Sequence, residues 1–361
     1  MRQLVTSPGA KRSRVRNVLG WFLNRPQTGL VLVIVLLAAV LTVFSGTHVD
    51  RRSGETVNNF LNSGTLMQIA TDASFFAIMA IGATIVIISG GIDLSVGSVY
   101  ALSGVAMALL LRSPTHGSGQ TVAMGITLAL GVGLVCGVLN GLMIVGLRVH
   151  SFVITLGTMW VFRGIAFVTS QATSILVPDA LTGVAKASLG QALYPMPMMV
   201  MIVVTALGAL YLSRTVMGRH VFAVGGNVEA SRYAGLRIER IQLGVFALSG
   251  LTAGIAAFMG TSYYGSASCA DASGYELYVI ASAVVGGASL KGGKGSAVSA
   301  TLGALLIVLI RQSIRSLRLD QNYEWIIIGC AIIVAVVLDR VSTALTSRRL
   351  TATGDVHQGG S

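Results

Sequence analysis

The sequence predicts an all-α polytopic membrane protein of about ten transmembrane helices, in a range of about eight to eleven, with both termini in the cytoplasm. Three observations carry this. Of 361 residues, 53% are hydrophobic and 11% charged, against about 25% charged in an ordinary soluble domain, and the mean hydropathy is +0.78. The apolar residues gather into runs of spanning length. The positive charges stand between those runs. A soluble enzyme, a disordered chain and a nucleic-acid-binding domain are excluded, because so few charges cannot cover so much apolar surface in water.

Taken in order, residues 1–27 form a basic segment with Arg2, Lys11, Arg12, Arg14, Arg16 and Arg25, followed by a first apolar run at 29–45. A basic stretch before an apolar run resembles a secretory signal, but no small-x-small cleavage site follows. The expectation is a retained first helix, with Trp21 and Phe22 as an interfacial anchor. Further runs lie at 67–89, 96–112, 121–146, 151–170, 196–213, 243–263, 275–290, 296–315 and 323–339. The transmembrane domain is placed at 28–345, and the polar segment 346–361 is a C-terminal tail.

With ten spans and the N-terminus inside, 17 of the 25 Lys and Arg residues fall in cytoplasmic segments, seven fall outside and Arg163 lies within a span. Such an asymmetry fixes the orientation. It also locates the net charge of +12 at the membrane surface and not on a nucleic-acid face. Arg311, Arg315 and Arg318 fall on the outer side. Their spacing puts them on one helical face, a candidate docking surface for an acidic partner. Cys136, Cys269 and Cys330 share no loop, so no disulfide framework is expected.

Catalytic signatures are missing. There is no His-Glu-x-x-His and no Gly-x-Ser-x-Gly. The stretch Lys291-Gly292-Gly293-Lys294-Gly295 looks like a phosphate loop but fails the Walker A spacing, since position 288 is Ala and Lys294 precedes Gly. The five histidines all lie outside or at the edge of apolar runs, which argues against a buried metal site.

Three segments carry polar chemistry. In Ser89-Gly90-Gly91-Ile92-Asp93-Leu94-Ser95-Val96-Gly97-Ser98, paired glycines loosen a helix and a carboxylate with hydroxyls follows. Irregular backbone at membrane depth survives only where it is buried in protein or lines a watery cavity. Asp93 and Ser95 either line a pathway or cap the next helix. The same glycine pair recurs as Gly286-Gly287 before Gly295-Ser296, the hint of an internal repeat. The loop 214–243 mixes five arginines with glycines. Its Glu229-Ala230-Ser231-Arg232 stretch suits a short amphipathic helix ended by Gly235, either docking a cytoplasmic partner or simply solvated. Finally, Asn140, Thr155, Thr158 and Arg163 place polar groups on spanning helices, where they either bridge helices or line a path for a small polar solute.

Together these stretches resemble the permease subunits of monosaccharide ABC importers, the ribose and branched-chain amino acid permease family. The matching residues are Gly90 to Gly97, Phe152 to Gly157 with Arg163-Gly164, Gly218 to Gly235, and Gly286-Gly287. The family's Glu-Ala-Ala-x-x-x-Gly coupling motif is matched at Glu229, Ala230 and Gly235, with Ser231 in place of the second Ala. His150-Ser151 stands where the family would have Pro before Phe152, and the 311–318 cluster is more basic than the family pattern. The resemblance implies a bacterial inner-membrane, multi-pass subunit without enzymatic activity. It further implies a second permease copy, identical or related, that completes the pathway. A cytoplasmic ATPase would hold ATP and magnesium, and a periplasmic sugar-binding protein would deliver the solute. This chain would hold no cofactor and no metal. It assigns contact with the ATPase to Gly218, Arg219, Gly225, Asn227, Glu229, Ala230, Arg232 and Gly235. The rival reading is an ion-coupled secondary transporter that uses Asp72 and Asp93.

Overall fold

The computed structural model describes residues 26–49, 54–112, 117–188 and 193–317, together with 319–320, 322–327, 329–330, 333 and 337. Residues 1–25 of the N-terminal basic segment with the Trp21–Phe22 anchor, Arg318 and the C-terminal tail lie outside these residues, as do eight of the seventeen residues of the expected 323–339 span.

The order of elements begins with α1 (Pro26–Phe44), a hairpin of β1 (Thr47–Val49) and β2 (Thr56–Asn58), α2 (Ser63–Ile88), α3 (Val96–Leu111), α4 (Ser118–Leu147) and α5 (Ser151–Ser170). It continues with β3 (Ile175–Leu176), α6 (Asp179–Ala185), α7 (Met196–Arg214), α8 (Val216–Gly226), α9 (Val228–Tyr233) and α10 (Ile238–Tyr264). It closes with β4 (Ser266–Ala267), α11 (Tyr275–Val285) and α12 (Ala297–Ser316). Among the described residues seven helices are long and apolar enough to cross a membrane, namely α1, α2, α4, α5, α7, α10 and α12, and α3 and α11 are shorter apolar helices. The strands make two small antiparallel ribbons, Thr47 opposite Asn58 and Ile175 opposite Ala267.

Helix α2 is the axis of the bundle. Its Phe75 to Ile88 stretch is buried on every side, as expected of a helix that is apolar all round, and α7, α10, α11 and α12 pack around it. The most extensive helix pair is α4 with α10. Gly133 and Gly137 on α4 face Gly250 and Gly254 on α10, and a Cβ at Gly137 would overlap the Phe246 carbonyl. With no hydrophobic drive between helices in lipid, such close backbone approach is what holds them together.

The expected run at 275–290 is a shorter helix, because α11 stops at Val285. Gly287 takes φ +93°, its N–H reaches Val284 O at 2.8 Å, and the Ala288 N–H reaches Ala283 O at 2.9 Å. Helix α2 stops in the same way: Gly90 takes φ +87°, bonding to Ile87 O at 2.9 Å, and Gly91 bonds to Val86 O at 3.0 Å. Both are Schellman stops, which need a left-handed residue that glycine supplies without strain. The two glycine pairs thus end their helices alike, with Gly90 corresponding to Gly287, one position away from the match of the pairs in sequence.

The segment 214–243 is not one loop. After α7 it folds into α8 and α9, and α10 starts at Ile238, before the expected apolar run. Helix α8 has only 11 residues, without the long apolar run that marks a span, so a search for spans passes over it. The short helix α6 and both ribbons were likewise not foreseen.

Candidate functional site

The site is built where α2 ends and α3 begins. The rise of α10 from Ile238 to Ser249 is about 16 Å, and Asn140 stands about 10 Å from the Leu147 end of α4. Residues 91–95 meet both side chains, so this extended segment dips into the bundle, and α3 starts from the interior. Its backbone is held by α5. The Ser151 hydroxyl accepts the Ile92 N–H at 3.0 Å and the Thr155 hydroxyl accepts the Leu94 N–H at 3.1 Å. These bonds satisfy groups that would otherwise stand unpaired in an apolar interior.

Asp93, 2% exposed, anchors the turn. Its Oδ1 accepts the Ser95 N–H at 2.9 Å and the Ser95 hydroxyl at 2.7 Å. Its Oδ2 accepts the Ser249 hydroxyl at 2.7 Å. Asn140 Nδ2 donates to Ser95 Oγ at 2.8 Å, while Asn140 Oδ1 is buried with no partner among the described residues. One network therefore ties α3, α4 and α10 together around a carboxylate.

Asp93, Ser95, Asn140 and Thr155 come together in this cluster. Thr158 is buried one turn further along α5 and returns its hydroxyl to Thr155 O at 3.3 Å on its own helix. Arg163 lies apart, about 18 Å along α5 from Ser151. Its Nη1 donates to the carbonyls of Cys269 and Asp271 at 2.7 and 2.6 Å, and its Nη2 to that of Ala272 at 3.2 Å. Arg163 thereby pins the turn that leads from β4 into α11. Two residues at the heart of this geometry escaped the sequence reading. Ser249 is one of many small polar residues in a spanning run and carries no signal of its own. Glu276, the lone carboxylate of its apolar run, was visible. Its Oε2 is buried with no hydrogen-bond partner among the described residues, beside Gly97 at the start of α3.

A cavity of about 830 Å³ opens beneath the 89–91 turn, with Arg148, Ser151, Arg232 and Gln242 among its walls. The expected Pro turn before Phe152 is made otherwise. Arg148 takes φ +56°, and His150 caps α5, Nδ1 accepting the Phe152 N–H at 3.3 Å.

The α7–α10 connection presents an exposed helix. Thr215 caps α8 by accepting the Gly218 N–H at 2.9 Å, and Gly218 sits against the Tyr211 carbonyl. Asn227 ends α8 and caps α9, accepting the Ala230 N–H at 2.9 Å. Arg219, Glu229, Ala230 and Arg232 are exposed, and Tyr233 is 91% exposed. Ser231 is buried. Gly235 closes the helix at φ +81°, donating to Arg232 O at 3.0 Å, with the Leu236 N–H on Ser231 O at 3.1 Å.

Near the C-terminal end of α12, Arg311 is turned inward. It pairs with Glu324 at 2.7 Å and its guanidinium lies 5.4 and 5.2 Å from the rings of Phe76 and Tyr278. Arg315 is more exposed and stands 4.0 Å from Asp72.

A bundle of apolar helices broken by polar, extended segments, with an exposed capped helix on one connection, defines a membrane transport subunit. Residues 65–336 match the family described as branched-chain amino acid transport system, permease component. The chain belongs to that family, and it is a multi-pass protein of the bacterial inner membrane. It is 34% identical over 284 residues to the D-allose transport system permease protein AlsC of Escherichia coli (strain K12), covering 78% of this chain and 85% of that one. It is 32% identical over 321 residues to the ribose import permease protein RbsC of the same strain, covering 87% and 93%. It is 33% identical over 290 residues to the autoinducer 2 import system permease protein LsrC of Enterobacter sp. (strain 638), covering 80% and 82%. No solved structure matches.

Proposed function

We infer that the chain is the permease subunit of an ATP-binding-cassette importer for a monosaccharide or a closely similar small polar solute. The observation that carries this is the exposed helix α9, capped at both ends and bearing Glu229, Ala230 and Arg232, set between two membrane helices. The names of the relatives, which concern ribose, D-allose and autoinducer 2, supply the substrate class.

In this reading a cytoplasmic ATPase holds ATP and magnesium and docks on α9 and the exposed neighbouring residues Arg219, Asn227 and Gly235, while Gly218 and Gly225, expected at the same contact, are turned against the carbonyls of Tyr211 and Ile88. A second permease copy completes the path, and a periplasmic binding protein delivers the solute. The chain makes and breaks no covalent bond. Its work is differential: closure of the ATPase favours one arrangement of the helices over another, and a ligand shifts the balance only by its unequal affinity for the two. The polar turn at 89–95 and the polar residues Asn140, Thr155, Thr158 and Arg163 are the groups available along the bundle interior. The half-exposed Arg315 is the basic group offered to the binding protein.

Uptake of radiolabelled D-ribose and D-allose by cells with and without the intact gene tests this. The expected result is uptake that requires the chain, survives a protonophore and fails when ATP is depleted with arsenate. Uptake abolished by the protonophore while ATP is maintained contradicts it.

A further inference from the structure

Three backbone segments far apart in sequence touch with no side chain between them: the end of α2 at Ile88, the end of α8 at Gly225, and the loop between α11 and α12 at Gly292–Gly293. The Gly293 N–H donates to the Ile88 carbonyl at 2.8 Å. Gly225 faces that same carbonyl so closely that a Cβ there would overlap it. A Cβ on Gly292, at φ +85°, would lie 2.6 Å from Gly225 O. On Gly293 it would lie 3.0 Å from Gly226 Cα.

The surroundings are closely packed. Val221 and Val224 of α8 are buried in one cluster with Ile81, Ile85 and Ile88 of α2. Ile87 packs with Ala283 and Ala288. The loop is closed on itself by Ser289 N–H to Lys294 O at 3.1 Å and Gly292 N–H to Ser289 O at 2.9 Å. Asn227 follows at once and begins α9. Close-packed backbone has no rotamers with which to absorb a displacement, so contacts of this kind shift as a unit.

We propose that the junction of Ile88, Gly225 and Gly293 is the positioning element that carries a displacement of α9 into both glycine loops at once. Through Ile88 it reaches the 89–95 turn and the start of α3. Through Gly293 it reaches the start of α12. This rests on the reading of α9 as the ATPase contact, and it makes the two glycine loops the two outputs of one lever.

The sequence contains its own control. Gly225 has no room for a methyl group, whereas nothing lies within 4 Å of one on Gly226. In native membranes, Gly226→Ala is expected to keep D-ribose uptake within about twofold of wild type. Gly225→Ala is expected to insert, retain its ATPase and its ATP hydrolysis, and lose uptake at least tenfold, because a merely structural defect would lower all of these together. Normal uptake by Gly225→Ala overturns the proposal.

Should Gly225→Ala fail to accumulate, hydrogen exchange on the wild-type full complex decides, with ATP and magnesium added and then with vanadate trapping. Peptides covering 86–92 and 288–295 are expected to change their exchange together with 222–230. Change confined to 222–230 overturns the junction alone. A wild-type chain that brings down no ATPase overturns the functional reading and the junction with it.

Discussion

The Ser249 hydroxyl on α10 donates to Asp93 Oδ2 at 2.7 Å, across 156 positions of sequence. That bond, with the two from Ser95 to the other oxygen, fixes where α3 starts inside the bundle. Removing the acceptor leaves buried donors unpaired, each at about 1–3 kcal/mol. Asp93→Ala is therefore expected to lower stability by on the order of 3 kcal/mol. Asp93→Asn, which keeps an acceptor on one side only, should fall between it and wild type. Thermal unfolding of the detergent-solubilised chain, followed by tryptophan fluorescence, checks this, and an unchanged midpoint for Asp93→Ala counts against it.

Arg163 holds three carbonyls of the 269–272 turn with one planar fork. A lysine ammonium is a point charge on a flexible stem and does not reproduce that geometry. In Arg163→Lys the segment 266–276 should exchange its amide hydrogens at least tenfold faster, with little change in 216–235. Equal rates in both proteins would show that the turn holds without the fork.

Gly235 separates two kinds of damage. Nothing lies within 4 Å of a methyl group there, so Gly235→Ala carries only left-handed strain, about 1–2 kcal/mol. Proline cannot adopt φ +81° and lacks the N–H given to Arg232 O. Gly235→Ala is expected to retain most D-ribose uptake, and Gly235→Pro to insert into the membrane and lose it. Equal uptake by the two variants would detach the helix end from coupling.

Arg311 and Arg315 share a helical face but not an environment. Arg311 is paired with Glu324 and covered by Phe76 and Tyr278, so Arg311→Ala should destabilise the fold by about 1–3 kcal/mol. Arg315 is a rim charge, and such charges govern association rate and salt dependence. Arg315→Ala should leave the unfolding midpoint unchanged and slow binding-protein association severalfold at low salt. Surface plasmon resonance over a salt series reads this, and an unchanged salt slope would remove Arg315 from the docking surface.

Much of this was legible in advance. Composition alone gives the fold class, and the polar residues of an apolar run stand out: Asp93, Asn140, Thr155 and Arg163 were visible because each is costly in a membrane interior. The helix over 228–233 was visible from its charges and from Gly235. What stayed hidden depends on contacts between distant segments. Ser249 matters only because Asp93 lies opposite it. Gly225 and Gly293 matter only because both meet the Ile88 carbonyl. In a chain with 44 glycines, no local signal tells these from the rest. Helix α8 escaped because its burial is against α2 and not into lipid, so it lacks the long apolar run that marks a span.

The central claim is that this chain is driven by an ATPase docked on α9. Affinity purification from native membranes in mild detergent, with mass spectrometry of every chain recovered, tests it most directly. The expected result is a stoichiometric partner carrying Gly-x-x-x-x-Gly-Lys-Ser/Thr, lost on Glu229→Lys. A single chain that carries solute in liposomes on a proton or sodium gradient alone would contradict it.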